Sequence, residues 1–168
     1  LHPFIRNTVG SMEFGGCFLN KRLNRNNDGG TTRRTTDIFQ LATTVLFQNP
    51  VQNFALAPNN LKDVSPVCMD YMKTIPTTWD ETCFIDGYPG KYVVLARRHG
   101  GTWYVAAINA GKETLKLKLD LEMFAGKTVS LYKDDKKGEP QLVTLKVKES
   151  GKVQLEILPQ GGVVLVNN

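Results

Sequence analysis

Residues 92–109 read "YVVLARRHGGTWYVAAIN". Two runs rich in Val, Ala, Tyr and Trp flank "HGG", and β-branched and aromatic residues suit a pleated, half-buried surface. Gly100 and Gly101 allow the positive φ that a tight hairpin loop requires. The stretch therefore predicts a β-hairpin, with His99 at its tip. The almost unbroken apolar character of "YVVLA" and "WYVAAI" places both strands centrally in a sheet.

The same grammar continues toward the C-terminus. In "TLKLKLDL" (114–121) Leu115, Leu117, Leu119 and Leu121 alternate with Lys116, Lys118 and Asp120, the period-two pattern of a strand with one buried face. "TVSLY", "LVTLKVK", "VQLEIL" and "GVVLV" follow, and "TWDETCFI" precedes the hairpin. About eight short strands with turn signals between them predict an antiparallel β-sandwich or barrel over residues 76–168. The Lys-studded strands belong at edges or half-exposed positions. On this reading the β portion folds by itself.

Residues 1–75 are written differently. "TDIFQLATTVLFQNP" (36–50) places Ile38, Leu41, Ala42, Val45 and Leu46 on one helix face. Thr35 or Thr36 caps its start, Asp37 suits the first turn and Pro50 stops it. Phe39 and Phe47 widen the stripe beyond what a solvent-facing helix needs. "VQNFALAPNNL" is a loop or a short turn of helix, and "SPVCMDYMKTI" is a second short helix, with Ser65 as cap and Pro66 at its first position. One long helix, one short helix and an apolar opening strand leave much of this half unpaired, so it is expected to be loosely held. Otherwise it leans on the β portion or on another copy of the chain.

At 41% hydrophobic and 22% charged, the composition is that of an ordinary globular protein, and no apolar run is long enough to span a membrane. The formal charge is +5 and the sequence pI about 9.1. The basic groups Lys21-Arg22, Arg33-Arg34 and Arg97-Arg98-His99 are interspersed with acids and accompany no nucleic-acid-binding motif, which argues for a solvated surface. Cys17, Cys68 and Cys83 show no metal or disulfide spacing and read mainly as small apolar residues.

Few residues suggest chemistry. Asn24, Asn26, Asp28 and Gly29 partly match a calcium loop, but position twelve is Thr35 where a bidentate Glu belongs. An Asx-rich turn fits better. Asp80 and Glu81 are adjacent, and neighbours on a strand point to opposite faces, so they read as a structural joint and not a catalytic pair. Glu13 is a lone acid in a Gly-rich stretch. Trp79, Tyr88, Tyr92, Trp103 and Tyr104 cluster around the start of the β portion. They form either its core or, through Trp79 and Trp103, a platform for stacking on sugar rings.

The segments "PFIRNTVGSMEF", "IPTTWDET" and "DGYPGKYVVLARRHGGTWYVAAIN", in that order, resemble the end of glycoside hydrolase family 97, whose members are α-glucosidases and α-galactosidases. The resemblance implies a chain that resumes inside a larger enzyme. Residues 1–75 would be the last barrel strand, loop and helix of a catalytic (β/α)₈ barrel with its exit segment, and 76–168 the C-terminal β domain. It implies catalytic carboxylates and calcium-holding acids upstream of Leu1. This piece would then be inactive alone, with no catalytic or metal-binding residue and no cofactor of its own. Arg6, Asn7 and Glu13, near the barrel mouth, are the candidate substrate contacts. The partners implied are the preceding domains of the same enzyme, its oligosaccharide substrate and a second copy of the chain, and the location is the periplasm or cell envelope. The β domain would act as structural and oligomerisation support; the competing reading is a carbohydrate-binding module.

Overall fold

A computed structural model describes residues 1–14, 16–21 and 33–167, and of Asn59 only the backbone. Two helical turns open the chain, a 3₁₀ turn at His2–Phe4 and α1 at Arg6–Val9. This corrects the expected opening strand. A strand needs a neighbour for its backbone groups, whereas here Phe4 and Ile5 donate to the carbonyl of Leu1 and close the turn locally.

β1 (Cys17–Phe18) and β2 (Phe54–Ala55) pair in parallel, with α2 (Asp37–Leu46) in the connection between them. This is a small βαβ unit, the α/β remnant that the sequence suggests. Thr36 caps α2, its Oγ1 accepting from the Phe39 amide at 3.1 Å. The helix ends at Leu46, before Pro50. α3 (Pro66–Met72) starts as expected, with Ser65 as cap and Pro66 in the first turn.

The β portion comprises β3 (Glu81–Tyr88), β4 (Tyr92–His99), β5 (Thr102–Asn109), β6 (Leu115–Asp120), β7 (Thr128–Asp134), β8 (Pro140–Lys146), β9 (Lys152–Ile157) and β10 (Gly162–Asn167). Six form an antiparallel sheet in the order β3-β4-β5-β10-β7-β8, and β6 pairs with β9 in a separate ribbon. The architecture is an open sandwich, not a closed barrel. β4 and β5 are central, as their apolar runs require.

Both faces of the large sheet are apolar. Val94, Ala96, Val105, Ala107, Val163 and Leu165 meet the ribbon residues Leu117, Leu119, Val153, Leu155 and Ile157, with Leu121 and Phe124. On the opposite face Val93, Leu95, Tyr104, Ala106 and Val164 share a core with Ile38, Leu41, Ala42, Val45, Leu46, Cys68 and Tyr71. Of the alternatives expected for the front half, packing on the β portion is the one observed: α2 lies on β5 and β10 within the same chain. An amphipathic stripe shows that a helix has a partner, but not which partner.

Gly162 makes that contact close. A Cβ there would stand 2.8 Å from Phe39 Cα and 2.9 Å from the Ile38 carbonyl, both backbone atoms of α2. Gly162→Val is expected to cost about 3 kcal/mol, the upper end of overpacking, in urea unfolding of the full chain. A loss below about 0.5 kcal/mol, the range of a surface substitution, would mean that the helix is free to shift.

Candidate functional site

The sequence-derived candidates fall in two places. The first is the groove where the opening segment meets the end of α2. Met12 donates its amide to the Gln48 carbonyl at 2.9 Å, and Asn7 Nδ2 reaches the Gly10 carbonyl at 3.4 Å and that of Gln48 at 3.5 Å. Asn7 is therefore a clamp holding residues 7–12 to the helix end. Glu13 is exposed on the rim of a cavity of about 410 Å³ formed with Phe14, Asn49, Pro50 and Asn53. Arg6 is exposed on α1, and no hydrogen bond or ion pair joins it to Glu13.

The second place is the start of the β portion. Trp79 packs edge-on against Tyr104, with ring centroids 5.3 Å apart, on the helix side of the sheet. Trp103 packs on the ribbon side. Adjacent residues of β5 face opposite ways, so the structure does not bring Trp79 and Trp103 into one platform. Arg97 Cζ is 5.8 Å from the Trp79 ring centroid, and Arg98 Cζ is 5.9 Å from that of Trp103.

Asp80 and Glu81 do meet, on Arg98. Glu81 accepts from Arg98 Nε at 3.2 Å, and Asp80 stands 3.7 Å from its Nη1 while accepting the Gly100 amide at 2.7 Å. The strand begins at Glu81, so Asp80 lies in the preceding bend and escapes the alternation assumed from sequence. Their role is the expected structural joint. His99 Nδ1 adds a contact to the Thr78 carbonyl at 2.9 Å.

Two buried charges were not legible as site residues. Asp134, at the end of β7, accepts from Thr36 Oγ1 at 2.9 Å and from the Gly162 amide at 3.2 Å, which ties the α2 cap to the sheet. Burial raises it from the ordinary carboxylate value to about 6, with Asp37 and Asp135 adding repulsion. Arg97 is 2% exposed, and burial lowers it to about 10. Alternation along β4 could have revealed it, since Arg97 shares a face with Val93 and Leu95.

Cys17 and Cys68 are buried free thiols pushed upward, Cys68 to about 12, and behave as inert core residues; Cys83 is only partly buried. No group of three or more His, Cys, Asp or Glu that could hold a metal ion stands among the described residues. The calcium-like residues Asn24, Asn26, Asp28 and Gly29 lie outside the described residues. No helix among the described residues is long and apolar enough to cross a membrane.

Residues 78–166, just over half of the chain, match the family profile described as Glycosyl-hydrolase 97 C-terminal, oligomerisation. A β-arabinopyranosidase crystal structure is 85% identical with a TM-score of 0.95, covering 99% of this chain and 26% of that one. A retaining alpha-galactosidase of Bacteroides thetaiotaomicron is 28% identical, covering 97% of this chain and 26% of the relative. A probable retaining alpha-galactosidase of Streptomyces bingchenggensis is 34% identical over 111 residues, 65% of this chain and 16% of the relative. The chain thus spans about a quarter or less of the length of these proteins.

Proposed function

Because the chain belongs to glycoside hydrolase family 97 through its C-terminal oligomerisation domain, we propose that it is the C-terminal part of an exo-acting glycosidase for β-arabinopyranosides and α-galactosides. The observation that carries this reading is the 85% identity to a β-arabinopyranosidase across 99% of the chain. The two substrate classes are chemically close: β-L-arabinopyranose has the ring stereochemistry of α-D-galactopyranose and lacks only its exocyclic hydroxymethyl group. A site that accepts one therefore needs little change to accept the other, whereas an α-glucoside inverts the C4 hydroxyl and leaves its hydrogen-bond partners unmatched. The two carboxylates that meet among the described residues, Asp80 and Glu81, are both engaged by Arg98. The catalytic acids, and any calcium ligands, belong to the rest of the parent.

Assay of the full-length parent on p-nitrophenyl glycosides tests this. The β-L-arabinopyranoside is expected to be cleaved fastest, the α-galactoside next and the α-glucoside least; fastest cleavage of the α-glucoside overturns the substrate assignment. The 168-residue chain alone is expected to turn over none of them. Turnover by the chain alone, lost in Glu13→Gln, overturns the non-catalytic assignment.

The self-association surface proposed is the outer edge of β8. The opposite edge, β3, exposes Phe84 and Tyr88 but is interrupted by an irregularity between Phe84 and Asp86 and carries the charges of Glu81 and Asp86. β8 presents the uncharged run Gln141–Thr144, exposed on both faces, with Leu142 47% and Val143 38% exposed. Unprotected edges of this kind pair with other strands, and the family's oligomerisation role favours a second copy as the occupant. Leu142→Lys with Val143→Lys is expected to give a monomer by analytical ultracentrifugation, while Tyr88→Lys on β3 leaves the oligomer intact. The reverse outcome assigns the interface to β3.

A further inference from the structure

The opening turns at His2–Phe4 and α1 are anchored on one side only. His2 packs edge-on against Phe47, just past α2, with ring centroids 5.4 Å apart, and Phe4 packs against Phe84 of β3 at 6.0 Å. Phe4 also lies over Gly87, where a Cβ would stand 2.9 Å from its ring. The Met12 amide fastens the following loop to the Gln48 carbonyl. Leu1, Ile5 and Val9, spaced four apart along the two turns, face the other way. They are 68%, 62% and 85% exposed, and Phe84, at 59%, extends the patch onto the sheet edge.

Single exposed apolar residues are ordinary, whereas a contiguous group marks an interaction surface. Neither turn has a side-chain cap or a fully buried residue, and one turn of helix is not stable in water by its own propensity. Arg6 is the only formal charge among the side chains of residues 1–9, so covering this face desolvates little charge.

Two observations identify the occupant. The patch lies beside β3, whereas β8, the edge proposed for self-association, is at the far end of the sheet. A copy paired edge to edge at β8 leaves the patch open. The matched profile is the family's C-terminal one, and the chain covers 26% of the related β-arabinopyranosidase. On the reading proposed above, about three quarters of the parent therefore precedes this segment and joins it at Leu1, inside the patch. A tether at that point holds the preceding polypeptide at high effective concentration over Ile5 and Val9.

We infer that Leu1, Ile5 and Val9, flanked by Phe84, form the apolar seat on which the preceding part of the parent docks. Through Phe47 and Phe84 the docked surface is held to α2 and to β3 at once. The inference rests on the reading of the chain as the C-terminal part of a larger enzyme, and not on the substrate assigned to it.

Cysteine labelling is the test. Ile5→Cys and Val9→Cys, made singly in the 168-residue chain and in the full-length parent, are reacted with a maleimide and followed by peptide mass spectrometry. Each rate is divided by that of the same thiol in urea. Both positions are expected to react at least about tenfold more slowly in the parent, where reaction waits on local opening. Equal normalised rates in parent and chain overturn the proposal. So does slow labelling of the chain alone that speeds on dilution, which assigns the seat to a second copy. Ile5→Lys with Val9→Lys is expected to leave the melting temperature of the 168-residue chain within about 2 °C, as for a surface substitution. In the parent the same pair is expected to raise hydrogen exchange of residues 2–14 to the level of the chain alone; unchanged protection overturns the proposal. None of these readouts involves turnover, so failure of the glycoside assay and failure of the docking are told apart.

Discussion

A chain cut to residues 76–168 is expected to lack a cooperative unfolding transition, although every strand of the sheet and the ribbon is retained. The cut removes α2 and α3 and bares the face formed by Val93, Leu95, Tyr104, Ala106 and Val164. Fully burying a large apolar side chain contributes roughly 1.5–3 kcal/mol. The loss over Val93, Leu95, Tyr104 and Val164 therefore approaches the whole stability of a typical domain, about 5–15 kcal/mol. Such areas overstate the gain, because unfolded chains already bury part of this surface. Even half the sum leaves little margin. Thermal melts followed by circular dichroism on both lengths check it. A cooperative melt of the short chain at the temperature of the long one would restore the self-sufficient β portion expected from sequence.

Strand grammar is silent on what covers that face for a specific reason. Strand alternation in "TLKLKLDL" declares one polar and one apolar face, and the ribbon obeys it: Leu117 and Leu119 are buried and Lys116 and Lys118 exposed. "YVVLA" and "GVVLV" alternate in nothing, which announces two buried faces but leaves open what covers each. The covering element is coded in α2, whose stripe is equally silent about its partner. Gly162, read from sequence only as part of a strand, is a point of close helix–sheet approach. The hairpin, the caps at Thr36 and Ser65 and the central position of β4 and β5 were legible because each depends on neighbours within a few residues. Arg97 and Asp134 were not, because their surroundings include residues far away in sequence, Gln48 lying 49 residues from Arg97 and Thr36 98 residues from Asp134.

Stability of the chain relative to Asp134→Asn is expected to fall by about 3 kcal/mol between pH 3 and pH 7. Burial lifts the Asp134 carboxyl from an ordinary 3.8 to about 6, against the hydrogen bonds from Thr36 and the Gly162 amide that favour its charged form. The folded state thus holds this proton more tightly than the unfolded state does. The contribution is fully present only well below the unfolded value of 3.8, where both states are protonated, declines as pH rises toward 6 and is constant above. Slightly over two pH units at 1.36 kcal/mol each gives the magnitude. Asp135 acts with opposite sign and in another window: backbone amides of Glu139 and Lys137 depress it, so its contribution is lost only as pH falls below the usual carboxylate range. The neutral amide of Asn can accept the same two hydrogen bonds through its oxygen, so the cap between α2 and β7 persists while the titration disappears. Urea unfolding of both proteins at half-unit pH steps gives the difference directly, because every other group cancels. A difference that stays flat from pH 4 to pH 7 would mean that water reaches Asp134 freely, and that the tie between the α2 cap and the sheet is loose.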